Sequence, residues 1–176
     1  MNKLTLSVLA LSALLGANAQ ANNTISFSGE VTEQTCQVDL SGNVNGPVVL
    51  LPLVSKTDLK DPGSVAGETP FTISVSGCAV NGSEALPIKT VFFGNDVTAK
   101  GNLKNFGSAN NVELQILDAV GGNAIDVSAG AAASGLSVAA GESTGSHDFA
   151  VQYVSVAGNA TAGTVIGSIQ YQIAYK

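Results

Sequence analysis

The chain has 176 residues, 45% of them hydrophobic and only 11% charged, a balance that belongs to compact domains and excludes a disordered chain. Its seven basic residues, all lysines, stand against thirteen acids for a net charge of −6, so no basic surface exists to neutralise a nucleic-acid backbone. No apolar run approaches the roughly 18–20 residues that a helix needs to span a bilayer, which leaves an acidic globular protein of one domain.

Met1-Asn2-Lys3 carries a single positive charge, residues 4–16 form an apolar stretch, and Ala17-Asn18-Ala19-Gln20-Ala21 contains two overlapping small-x-small sites. Residues 1–21 therefore read as a secretory signal peptide, cleaved after Ala19 or after Ala21, and stand outside the fold. Residues 22–34 follow as an extended segment: Ile25, Phe27, Gly29 and Val31 lie on one face, Ser26, Ser28, Glu30 and Thr32 on the other. The remaining chain, 35–176, is the predicted domain. Export changes how Cys36 and Cys78 are read, because two cysteines in an oxidising compartment pair far more often than they bind metal. One disulfide is expected, and the loop-entropy estimate for such a ring is roughly 4 kcal/mol.

Beyond Cys36 the period is that of strands. Residues 48–53 and 88–93 read as fully buried strands. Phe71, Ile73 and Val75 alternate with Thr72, Ser74 and Ser76; Val112, Leu114 and Ile116 alternate with Glu113 and Gln115; Phe149, Val151 and Tyr153 alternate with Ala150 and Gln152. Each has one face for a core and one for water. Residues 129–145 are rich in Ala, Gly and Ser, with Leu136 and Val138 offering one short strand inside. A last alternation, Ile169, Tyr171, Ile173 and Tyr175, runs up to Lys176. Turn formers punctuate these runs at 41–46, Asp61-Pro62-Gly63, Asn81-Gly82, Gly121-Gly122-Asn123 and Gly158-Asn159, as in an all-β sandwich or barrel.

Catalytic readings fail on their own chemistry. Gly141-Glu142-Ser143-Thr144-Gly145 matches G-x-S-x-G beside the sole histidine, His147, but a nucleophile elbow needs a strand before the serine and a helix after it. Here a polar loop leads into a strand. One histidine and two paired cysteines cannot furnish a metal shell. Asp58 and Asp61, beside Lys56 and Lys60, read as an exposed loop rather than an acid–base pair. No catalytic residue, cofactor or metal is assigned.

The two ends carry the most information. Gly29-Glu30-Val31 leads to Cys36-Gln37-Val38-Asp39; residues 71–77 lead into Cys78; Val112-Glu113-Leu114-Gln115-Ile116-Leu117-Asp118 and residues 149–153 follow; Gly163 and a penultimate Tyr175 close the chain. In this order and spacing the pattern resembles the pilus subunits of the chaperone–usher class, closest to the major shaft subunits of type 1-like fimbriae, over the whole mature chain.

The resemblance implies an all-β, incomplete immunoglobulin-like β-sandwich that lacks its final strand, with an N-terminal donor-strand extension carried by Ile25, Phe27, Gly29 and Val31. It implies a groove whose edge is formed by Gly163, Ile169, Tyr171, Ile173, Tyr175 and the carboxylate of Lys176. The implied partners are a periplasmic pilus chaperone that first fills the groove, an outer-membrane usher, and identical or related pilin subunits in a head-to-tail surface fibre that supports adhesion. A minor adaptor pilin of the same class, or a self-complete secreted sandwich that binds a ligand as a monomer, are the competing expectations.

Overall fold

The computed structural model describes residues 36–41, 47–80 and 83–175. Within them every regular element is a strand: β1 (Gln37–Leu40), β2 (Ser64–Ser76), β3 (Leu86–Gly94), β4 (Glu113–Leu117), β5 (Ala124–Ile125), β6 (Ala131–Ala133), β7 (Ser137–Val138), β8 (Gly145–Ser155) and β9 (Ile169–Tyr175). The period-two alternation explains this, because it gives each segment one apolar face and no helical stripe.

Two sheets face each other. The first has the order β1-β2-β8-β4-β5, all neighbours antiparallel. Its longest pairing, β2 with β8, sets Phe71 directly opposite Phe149, so the two rings stack at 5.8 Å. The second sheet is built on β3. All seven residues of β9 pair with one of its edges, from Ile88↔Tyr175 to Gly94↔Ile169. The short strands β6 and β7 take the other edge in turn, joined by the Ile88 N–H donating to the Leu136 carbonyl at 2.9 Å.

Phe92 of β3 crosses the gap and meets Phe149 edge to face at 5.0 Å and Phe71 at 6.4 Å. The three rings, with Ile73, Ile88, Leu114, Ile116 and Val151, tie the sheets into one core. The predicted disulfide is present: Cys36 and Cys78, 42 positions apart with Cα atoms at 4.5 Å, close the end of the sandwich where β1 begins and β2 has just ended.

Two expectations need correction. Residues 88–93 do form a strand, but a one-faced one: Ile88, Thr90 and Phe92 are buried while Lys89 and Phe93 face out. Residues 48–53 form no strand among the described residues; the reason lies in what flanks them. The expected strand before Cys36 and the turns at 42–46 and 81–82 lie outside the described residues.

Candidate functional site

The irregular segment 47–54 is a strand in pattern without a partner. Val49 and Leu51 turn inward against the core, whereas Val48 and Leu50 are 76% and 83% exposed. Among the described residues its backbone accepts a single hydrogen bond, from the Tyr153 hydroxyl to the Pro52 carbonyl at 3.1 Å, and it joins no ladder. Pro47 and Pro52 also remove two donors. An apolar run therefore lies extended against the sandwich without being hydrogen-bonded into a sheet.

The facing wall is the C-terminal part of the chain. Strand β9 uses one edge for β3, and among the described residues nothing pairs with its other edge. Before β9, residues 159–166 are pinned to residues 105–111. The Phe106 N–H donates to the Ile166 carbonyl at 2.8 Å, the Ala109 N–H to the Thr164 carbonyl at 3.0 Å, and the Thr161 N–H to the Asn110 carbonyl at 3.1 Å. The backbones come so close here that a Cβ on Gly163 would collide with the Ala109 nitrogen and one on Gly107 with the Thr164 carbonyl, which explains both glycines.

Between these walls runs a groove with two hollows. The first, about 260 Å³, is bounded by Val48, Val49 and Leu51 on one side and Ile169 and Tyr171 on the other. Its floor is the core itself, including Phe71, Phe92, Leu114 and Ile116. The second, about 520 Å³, lies between Leu53, Val54 and Lys56 on one side and residues 160–166 on the other, over Val112 and Tyr153. Leu53 at 103% exposure and Ile166 at 59% stand at its mouth. A sandwich whose floor of core residues is open along one side lacks one strand of cover.

The groove is electrostatically quiet. Burial raises the hydroxyl pKa of Tyr153, and burial followed by the nearby Asp39 carboxylate raises that of Tyr171, so both phenols stay neutral at ordinary pH. Among the described residues neither hollow is lined by an acid, and Lys56 is the one charged residue in either lining.

Of the residues singled out in the sequence, Ile169, Tyr171, Ile173 and Tyr175 do line up on β9, half-buried and packed against the core. Gly163 stands in the same wall, one hollow further along. The Tyr175 hydroxyl accepts a hydrogen bond from the Cys36 N–H at 3.1 Å, tying the end of β9 to the start of β1. Ile25, Phe27, Gly29, Val31 and Lys176 lie outside the described residues. The opposite wall, Val49, Leu51 and Leu53, was not singled out, because an unbroken apolar run hides which face is in and which is out. Ser143 lies in the turn before β8, where its carbonyl accepts the Cys78 N–H at 3.1 Å, and His147 packs edge-on against Phe149 at 4.6 Å. Among the described residues no three His, Cys, Asp or Glu side chains gather as a metal site would need.

Comparison with known proteins gives one consistent result. A family model described as "Fimbrial protein" matches residues 25–176. The chain is 36% identical to the F17 fimbrial protein of Escherichia coli, over 97% of this chain and 96% of that one. It is 37% identical to the major fimbrial subunit SMF-1 of Stenotrophomonas maltophilia (strain K279a), over 93% and 98%. In fold it is similar to the crystal structure of the P pilus rod subunit PapA, with a TM-score of 0.59 at 16% identity, covering 80% of this chain and 99% of that one.

Proposed function

Since this chain belongs to the fimbrial protein family and is a structural, non-enzymatic fimbrial subunit, we propose that it is of the chaperone–usher type and polymerises head to tail by donor-strand exchange into the shaft of a surface fibre. In this reading residues 1–21 direct export and are removed. Residues 22–34 of the next subunit lie in the groove of the one before it. The same groove is held earlier by a strand from a periplasmic chaperone, and the exchange takes place at an outer-membrane usher. The assembled fibre supports attachment of the cell to surfaces. The assignment to the shaft is supported by the relative named a major subunit and matched over nearly its whole length.

The observation that carries the proposal is the open groove itself, with the core as floor and, among the described residues, one unpaired β-edge on β9 and one unladdered apolar segment at 47–54. An edge with free amides and an uncovered core row is an aggregation hazard unless another strand covers it, and a strand from another chain is a natural cover. Burying Ile25, Phe27 and Val31 there contributes about 1.5–3 kcal/mol each, so about 5–9 kcal/mol together. Each new ladder hydrogen bond adds about 0.5–1.5 kcal/mol. Because the incoming strand completes a core, leaving requires that core to open, and the fibre persists by a slow off-rate. Gly29 interrupts the inward row where the receiving backbone approaches most closely.

The test is a thermal melt of the domain lacking residues 22–32, alone and with a synthetic peptide spanning residues 22–34. A low melting temperature that rises steeply with the peptide, and much less when the peptide carries Gly29→Leu, is the expected result. A domain that is already stable and indifferent to the peptide would instead be a self-complete sandwich, and the proposal would fall.

A further inference from the structure

We propose that Glu33 of one subunit pairs with Lys56 of the neighbour whose groove it fills, and that this pairing fixes both the direction and the register of the donor strand. The proposal rests on the donor-strand reading above and adds a specificity-determining contact to it.

Three observations meet at this pair. First, the inward row of the extension, Ile25, Phe27, Gly29 and Val31, continues at its own period to Glu33, so the next side chain facing the groove is a carboxylate. A carboxylate entering an apolar groove is costly unless a cation meets it. Second, Lys56 is the one charged residue lining either hollow, and among the described residues no carboxylate lies within salt-bridge distance of it. Third, the two walls of the groove run antiparallel. The first hollow is lined by residues of 47–51 and of 167–171, the second by residues of 52–56 and of 160–166. A donor lying antiparallel to β9 therefore enters at the first hollow with Ile25 and carries its later residues, Glu33 among them, toward the second hollow and Lys56.

The opposite direction is penalised at the same residue. It would carry Glu33 to the Tyr171 end, where the Asp39 carboxylate already acts on the Tyr171 hydroxyl, and would leave Lys56 facing the uncharged start of the extension. A slip of two residues keeps the apolar row inside the groove but moves the charge past its partner, so the pair discriminates where hydrophobic burial alone does not.

Fibres formed by the full mature chain provide the test, because each subunit supplies both a donor and a groove. Lys56→Glu and Glu33→Lys each place like charges at every joint, and the double variant restores opposite ones. At low salt each single change is expected to speed fibre dissociation in denaturant by about three- to tenfold, the double variant to return within about twofold of the parent, and half-molar salt to shrink all the differences. Single effects that simply add in the double variant, or no effect of either change, would overturn the pairing.

A Phe27→Asp variant separates the two levels. If it still forms normal fibres, the donor-strand reading fails. If it forms none while the charge changes add, only the Glu33–Lys56 pair fails. Should a charge variant yield no subunit, carbodiimide coupling of parent fibres decides: an amide between Glu33 and Lys56 of adjacent subunits is expected, and coupling of Glu33 to Lys89 or Lys176 instead would overturn the direction.

Discussion

Phe149 has no exposed surface and touches Phe71 from its own sheet and Phe92 from the other, so it sits at the centre of the ring cluster that joins the two layers. Phe149→Ala should cost about 3–5 kcal/mol and lower the melting temperature of the assembled protein more than any exposed aromatic change. Thr90, two residues before Phe92 on the inner face of β3, is fully buried and its hydroxyl finds no partner among the described residues. Thr90→Val removes that unmet group at nearly constant volume and should stabilise by about 1 kcal/mol, read as a higher denaturant midpoint. The phenols give a pH signature. The hydroxyl pKa values of Tyr153 and Tyr171 are both raised in the folded state, so their contribution is complete below the unfolded value near about 10 and is lost as pH rises through the folded values. A flat stability profile through neutral pH and a fall above about pH 10, blunted by a Tyr153→Phe, Tyr171→Phe double variant, is the expected result.

At the level of elements, the wall of the groove depends on the seam between residues 105–111 and 159–166. Gly163→Val drives a side chain into the backbone at Ser108 and Ala109, which cannot yield as a flexible side chain could. That wall should shift by the width of the clash, and the fibre yield should drop while export of the subunit continues; equal yields of sheared fibre from parent and variant would contradict this. The same elements show what the sequence discloses. Segments with strict alternation, such as Phe71 with Ile73 and Val75 or Ile169 with Tyr171 and Ile173, were legible because one face of each meets the core and the other meets water. The long strand β2 was read only in part: its first half carries Gly67, at φ +66°, in a bulge between Ala66 and Thr69 that breaks the period. The run 48–53 misled because its apolar composition suggests burial on both faces, while ladder partners, which composition does not encode, are missing on both sides among the described residues. Half of the groove was therefore visible from β9, and the other half only once the chain was folded.

For the molecule as a whole, the sandwich is held by a core that one side leaves open, and its charge is acidic, with a single lysine lining the groove among the described residues. The Cys36–Cys78 bond was legible from export alone, yet its position matters as much as its presence. It ties the point at which residues 22–35 leave the domain to Cys78, just beyond the end of β2, and so encloses β1, the segment 47–54 and β2 in one covalent ring. In the proposed fibre, tension arriving along the extension enters the domain at Cys36 and is shared at once, through the sulfur bridge, with Cys78 and the end of β2. It leaves through β9 and the segment 47–54, the walls of the proposed groove, without having to run along the chain between the two cysteines. Pulling on single fibres should therefore never unravel the ring while the bridge is intact. Under a reductant each subunit should release additional contour length of about 14 nm, the reach of the freed residues at roughly 3.4 Å apiece. In the proposed fibre the bridge then acts as a mechanical shunt, carrying load between the point where it enters the domain and the far end of β2.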